Sequence, residues 1–217
     1  MIITIDGPAG TGKGTLAAAL SEALGFHHLD TGLLYRAVAW TAQTQNVPLG
    51  DEEALTRLAE KLSAETLKNP ELRLPEVTEQ ASIVAAVPGV RAALLAWQRG
   101  FAALPPGAVL DGRDTGTVIC PHADVKFFMT AGPEVRARRR QQELTARGLP
   151  ASYEAVLEGI TERDRRDRER GIAPLPAERP EDAILLDTSE KSREEVFTEA
   201  MRYVRRKAAS AGLPCGV

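Results

Sequence analysis

Five short apolar runs punctuate the chain: Ile2 to Ile5, a weak one at His27 to Leu29, Ala108 to Leu110, Val125 to Met129 and Ala183 to Leu186. Most are continuously apolar rather than alternating, which is the pattern of strands covered on both faces. Between them the period changes to that of a helix. Leu16, Leu20 and Leu24 recur at four-residue spacing and stop at Gly25, so a first helix is predicted to end there. Glu195 to Lys207 predicts a closing helix. Strands that alternate with helices imply an α/β fold around a five-stranded parallel sheet with right-handed crossovers.

Two regions break the alternation. Residues 35–100 form a long, mostly helical excursion interrupted by Asn69-Pro70 and Pro88-Gly89, and residues 141–180 form a second one, rich in charge and punctuated by Gly148, Pro150 and Gly171. Neither has the hydrophobicity of an independent domain, so both are read as substrate-covering appendages on one core made of 1–34, 101–140 and 181–209. The last residues, Ser210 to Val217, read as a frayed tail.

Composition narrows the function classes. With 217 residues, 43% of them hydrophobic, the chain can bury one substantial core. Its 27 basic against 30 acidic residues leave no global field for nucleic acid or an anionic membrane, so any phosphate chemistry must be local. Cys120 and Cys215 stand far apart without ligand-spaced partners and read as free thiols in a reducing compartment. No apolar run approaches the roughly 20 residues that span a bilayer. The expectation is a cytoplasmic monomer that handles small molecules.

The first candidate chemistry follows the first strand directly. Gly7-Pro8-Ala9-Gly10-Thr11-Gly12-Lys13-Gly14-Thr15 has the glycines that let backbone N–H groups converge on phosphate oxygens, a helix N-terminus behind them, and a lysine to reach the transferred phosphate. Gly14 stands where Ser or Thr usually follows that lysine. Magnesium is therefore expected mainly among phosphate oxygens and waters, with Thr15 and Asp111 acting through water rather than as assured direct ligands. Asp111 itself ends an apolar strand, and reads either as an acid that organises magnesium or as a turn carboxylate opening Asp-Gly. No chemistry is assigned to His27, His28 or His122.

Further motifs appear in order along the chain: Leu29-Asp30-Thr31-Gly32-Leu33-Leu34-Tyr35-Arg36-Ala37, Asp111-Gly112-Arg113-Asp114-Thr115-Gly116-Thr117-Val118, and Arg163-Asp164-Arg165-Arg166-Asp167-Arg168 with Ala173-Pro174-Leu175. Together with the phosphate loop they resemble bacterial cytidylate kinases, from Ile3 to about Arg205. The resemblance implies an ATP-dependent, magnesium-assisted kinase of CMP and dCMP in pyrimidine nucleotide metabolism. It also implies that 35–100 is the monophosphate-binding insertion and 141–180 a lid. It assigns Lys13, Asp111, Arg113, Arg163 and Arg170 to catalysis, Tyr35, Arg36, Arg113 and Arg170 to the acceptor phosphate, Ser82, Arg91 and Asp114 to the base, and Arg163 and Asp167 to the ribose. One departure is visible, because only Glu65 to Glu71 fills the space where the family carries a small antiparallel strand unit. Kinases of UMP, AMP or shikimate, and a switch that binds ATP without chemistry, remain the rival readings.

The physical chemistry of the motifs fits that resemblance. An acceptor that is already a phosphate needs no general base, so catalysis reduces to alignment and charge neutralisation, for which arginine forks are suited. A cytosine reader needs a carboxylate for the N4 amine beside a donor for N3 or O2. The run from Arg163 to Arg170 holds five arginines in eight positions. Helical spacing puts Arg163, Arg166, Asp167 and Arg170 on one stripe and assigns Asp164, Arg165, Arg168 and Glu169 to solvent, with Arg166 undecided. With nothing apolar between Thr161 and Arg170, this segment is expected to be solvated, disordered or folded over a ligand. Arg136 and Arg140 share a face of the preceding helix, their role unassigned.

Overall fold

A computed structural model describes residues 1–149 and 151–210; Pro150 and Cys215 lie outside the described residues. Five parallel strands, β1 (Ile2–Asp6), β2 (His27–Asp30), β3 (Ala108–Gly112), β4 (Val125–Thr130) and β5 (Ile184–Asp187), form one sheet in the order β2-β3-β1-β4-β5. All five apolar runs are thus strands, including the weak second one. β1 lies between β3 and β4, so the chain that leaves its carboxyl end enters the crevice where open α/β sheets bind ligands.

Helix α1 (Lys13–Leu24) ends at Gly25, whose left-handed backbone (φ 65°) lets its N–H return to Glu22 and Ser21. α1 packs its Leu16, Ala17 and Leu20 with Ile3, Ile5 and Phe127 of the sheet and with Val196, Ala200 and Val204 of the closing helix α8 (Arg193–Ser210). In a second cluster Leu29, Ala108 and Leu110 meet Ala102 and Ile119.

The first excursion folds as α2 (Thr31–Thr44), α3 (Glu52–Glu60), α4 (Pro75–Val84) and α5 (Pro88–Ala102). Asp30 and Asp51 cap α2 and α3, accepting from Leu33 and Ala54. Only short 3₁₀ turns, Thr66–Lys68 and Pro70–Arg73, bridge α3 to α4. These helices surround their own buried cluster, in which Leu34, Val38, Leu55, Val77, Val84, Val90 and Leu94 meet. The excursion therefore has more of a core of its own than its interrupted sequence pattern predicts. Among the described residues no single helix is long and apolar enough to cross a membrane; α4 and α5 pass that test only as a pair bent by 100°.

The second excursion holds the end of α6 (Pro133–Ala146), a helix that begins in the core, and α7 (Tyr153–Glu169); the two pack through Ala137, Leu144, Val156 and Ile160. The segment 161–170, expected to have no face to bury, is thus the continuation of an anchored helix. The first half of α7 is anchored by Val156 and Ile160, and its charged second half buries Asp164 and Asp167.

Candidate active site

The loop between β1 and α1 is held in shape by its own backbone. Gly7 runs at φ 146° so close to β4 that a Cβ there would lie 2.1 Å from the Met129 carbonyl oxygen, which explains why glycine opens the loop. Thr11 Oγ1 and Lys13 Nζ both donate to the Pro8 carbonyl, at 3.1 and 2.7 Å. Lys13 is buried, while Gly10, Gly12, Gly14 and Thr15 face solvent. Burial, together with the nearby Arg113 and Arg163 cations, pushes the Lys13 amine well below its ordinary 10.5. A cavity of about 800 Å³ opens over this loop, lined among others by Thr15, Arg139, Arg140, Thr188 and Lys191.

At the end of β3, Asp111 is buried, and its carboxylate meets His28 Nε2 at 2.7 Å. Thr31 Oγ1 donates to the Asp111 carbonyl at 2.8 Å. Burial raises the Asp111 carboxyl above its usual range despite the His28 contact. The next side chains build two linked clusters. Arg113 Nε donates to Asp167 Oδ2 at 2.6 Å, and Arg163 lies 4.0 Å from the same oxygen. Arg91 Nη2 donates to Asp114 Oδ2, while Arg170 Nη2 approaches Asp114 Oδ1 at 3.4 Å. The Arg91 guanidinium also sits over the Tyr35 ring, 5.5 Å from its centre.

These carboxylates differ in their electrostatics. Burial opposes ionisation of Asp167, but Arg113 and Arg163 outweigh it and hold its carboxyl below the usual range. Burial prevails at Asp114, raising that carboxyl although Arg91, Arg170 and Arg113 pull the other way. Burial lowers Arg163 to about 10, with Arg113 adding to the effect; it remains charged at neutral pH.

The other sequence candidates take recognisable positions. Arg36 Nε donates to the Gly32 carbonyl at 3.3 Å and its Nη2 to Asp30, which ties Arg36 to the N-cap of α2. Ser82 is buried on α4 and donates to the Glu79 carbonyl at 2.8 Å, leaving its lone pairs as acceptors. Arg170 follows α7, where its Nε donates to the Ala173 carbonyl at 2.8 Å. Arg165 pairs outward with Glu162 and Glu169, as the helical spacing required.

One assignment fails and several residues were missed. Asp164 is not in solvent: it is 5% exposed and pairs with Arg136 at 2.7 Å. His28 has a site contact after all, with Asp111. Asp6 anchors the turn after β3, accepting from the Thr115 N–H, the Thr115 hydroxyl and the Gly116 N–H, each at 2.8 Å. The only signal for Asp6 was a carboxylate ending an apolar strand, the same signal that drew attention to Asp111.

Strand order, a glycine loop closing on a buried lysine at the centre of the sheet, and facing arginine clusters define a P-loop phosphotransferase. Comparison with known proteins narrows this. The cytidylate kinase family model matches residues 3–206, and the chain belongs to that family. The cytidylate kinase of Azorhizobium caulinodans is 55% identical over 206 residues, covering 95% of this chain and 98% of its own. That of Xanthobacter autotrophicus is 53% identical over 209 residues, covering 96% and 99%. Among solved structures, a gluconokinase from Sinorhizobium meliloti 1021 aligns with a TM-score of 0.53 at 16% identity, covering 96% of this chain and 94% of that one. An uncharacterized protein from Eubacterium ventriosum aligns at 0.55 and 11%, covering 95% and 98%. At such identities the structural likeness concerns the fold alone.

Proposed function

We propose that the chain transfers the terminal phosphoryl group of ATP to CMP and dCMP, forming the diphosphates, and so serves pyrimidine nucleotide metabolism. The observation that carries this reading is the buried Arg91–Asp114 pair beside Tyr35. A carboxylate next to a guanidinium matches cytosine, whose N4 amine donates while N3 and O2 accept. Uracil presents an acceptor at position 4 and would leave the carboxylate unanswered, a costly mismatch in a buried site. Ser82 adds an acceptor from α4.

In this reading an oxygen of the acceptor phosphate attacks the γ-phosphorus. The bond from that phosphorus to the β,γ-bridging oxygen breaks, and ADP leaves with the electron pair. The attacking oxygen is already anionic, so no base is needed. Lys13 and the loop N–H groups hold the donor phosphates, while Arg36, Arg113 and Arg170 neutralise the acceptor and Arg163 and Asp167 orient the ribose. Asp111, buried beside Lys13, and the exposed Thr15 suit a magnesium ion held mostly by phosphate oxygens and water; when bound, that ion would neutralise charge on the transferring group.

The binding half of the proposal is testable without turnover. Calorimetric titration in the absence of ATP should show saturable CMP binding, at least tenfold tighter than UMP on the scale of one charged hydrogen bond. Equal affinity for both would remove the basis for cytosine selection.

A further inference from the structure

Arg136 is 4% exposed and stands near the start of α6. All three of its guanidinium nitrogens are engaged, each by a different part of the chain. Nε donates to the Ala131 carbonyl at 2.9 Å, in the turn that leaves β4. Nη1 donates to the Ala9 carbonyl at 3.1 Å, in the phosphate loop. Nη2 meets Asp164 Oδ2 at 2.7 Å, on the lid helix α7. The crest of the phosphate loop rests on the same residue, since a Cβ on Gly10 would lie 3.0 Å from Arg136 Cβ.

Two consequences follow from the geometry. A trans peptide points its C=O and N–H in opposite directions. By holding the Ala9 carbonyl, Arg136 therefore turns the Gly10 N–H away from α6. Asp164 is the residue after Arg163 and lies three before Asp167, so the same guanidinium also fixes the height of the helix that carries both. We propose that Arg136, through Ala9 and Asp164, is a positioning residue for phosphoryl transfer: it sets the distance between the donor-phosphate loop and the arginines of the lid. This rests on the phosphotransferase reading of the site. It does not require Arg136 to touch a nucleotide.

A purely structural ion pair could be replaced by apolar residues of similar size with little loss of stability, whereas a positioning contact could not be replaced without loss of alignment. Purified full-length Arg136→Met, Asp164→Leu and the double variant should be compared with wild type by thermal unfolding and by ADP formation with and without monophosphate. The single variants are expected to melt lower, each leaving one buried charge alone, and the double variant to recover most of that loss. Its kcat should nevertheless stay about tenfold or more below wild type, with KM for the monophosphate within about twofold and a larger share of ATP lost to water. A double variant that regains both melting temperature and wild-type kcat would overturn the proposal.

Arg136→Lys keeps the charge on Asp164 but cannot span all three partners. It should retain the fold and lose about tenfold in kcat; wild-type turnover in this variant would equally overturn the proposal. Because the comparison uses whichever monophosphate wild type phosphorylates fastest, failure with CMP would count against the substrate reading alone.

Discussion

Arg113 Nε donates to Asp167 Oδ2 at 2.6 Å, joining the residue after β3 to α7 more than fifty positions away. Arg91, Arg113, Arg163 and Arg170 all face a carboxylate, Asp114 or Asp167. On the proposed reading, a monophosphate would exchange one anion for another at these guanidinium groups rather than enter an unpaired cluster of like charges.

That arrangement makes Asp167 doubly sensitive. Asp167→Asn leaves Arg113 and Arg163 without their buried counter-charge, so the variant should lose about 3 kcal/mol of stability. It should also lose at least tenfold in kcat/KM for CMP, on the scale of a charged hydrogen bond. KM for ATP should stay within about threefold. Denaturant unfolding and steady-state kinetics check both; an unchanged kcat/KM would remove Asp167 from the acceptor site.

Asp114→Asn keeps the shape of the side chain but, on the proposed reading, offers an amide where the cytosine amine would meet a carboxylate. CMP should bind about 10- to 100-fold more weakly, on the scale of a hydrogen bond to a charged group. ATP binding should be little changed. Calorimetry on the same preparation measures both, and equal losses would contradict base reading by Asp114.

Lys13 carries a pH dependence. Its amine is held well below the ordinary 10.5 by burial and by Arg113 and Arg163, whereas bound polyphosphate favours the charged form. ATP binding should therefore take up a proton, and ATP affinity should fall as pH rises at values where an ordinary lysine is still fully protonated. Proton uptake measured in two buffers of different ionisation enthalpy, at pH values rising to 10.5, checks the sign; zero linkage throughout that range would mean that Lys13 does not contact the phosphates.

Asp6 gives a stability signature separate from activity. Burial raises its carboxyl from 3.8 to about 6, against the pull of its Gly116 and Thr115 donors. A raised acid stabilises the fold fully below the unfolded value of 3.8 and loses that contribution as pH rises through about 6. The amount is ~3 kcal/mol. The stability advantage of wild type over Asp6→Asn should accordingly shrink between pH 4 and roughly pH 7. A constant difference across that range would show that Asp6 does not titrate there.

The parts legible in the sequence were those encoded locally. Leu16, Leu20 and Leu24 declared α1, Gly25 ended it, and even the short His27 to Leu29 run was a strand. The phosphate loop was legible because strand, glycines and lysine lie within one continuous stretch. What escaped depended on contacts between distant segments. A helical wheel sends Asp164 to solvent, because it cannot know that Arg136, twenty-eight residues earlier, stands opposite it. His28 reaches Asp111 because strand register pairs His28 with Val109, leaving His28 and Asp111 on one face of neighbouring strands. Neither residue carries that register in its own neighbourhood.

On the proposed reading, acceptor choice is decided at the Arg91–Asp114 pair, and turnover measures it most directly. Purified protein with ATP and magnesium should be offered CMP, dCMP, UMP and AMP separately at matched concentrations in a coupled ADP assay. CMP and dCMP should exceed UMP and AMP by at least tenfold in kcat/KM, on the scale of one mismatched buried polar group. Turnover of UMP or AMP equal to that of CMP would contradict the account.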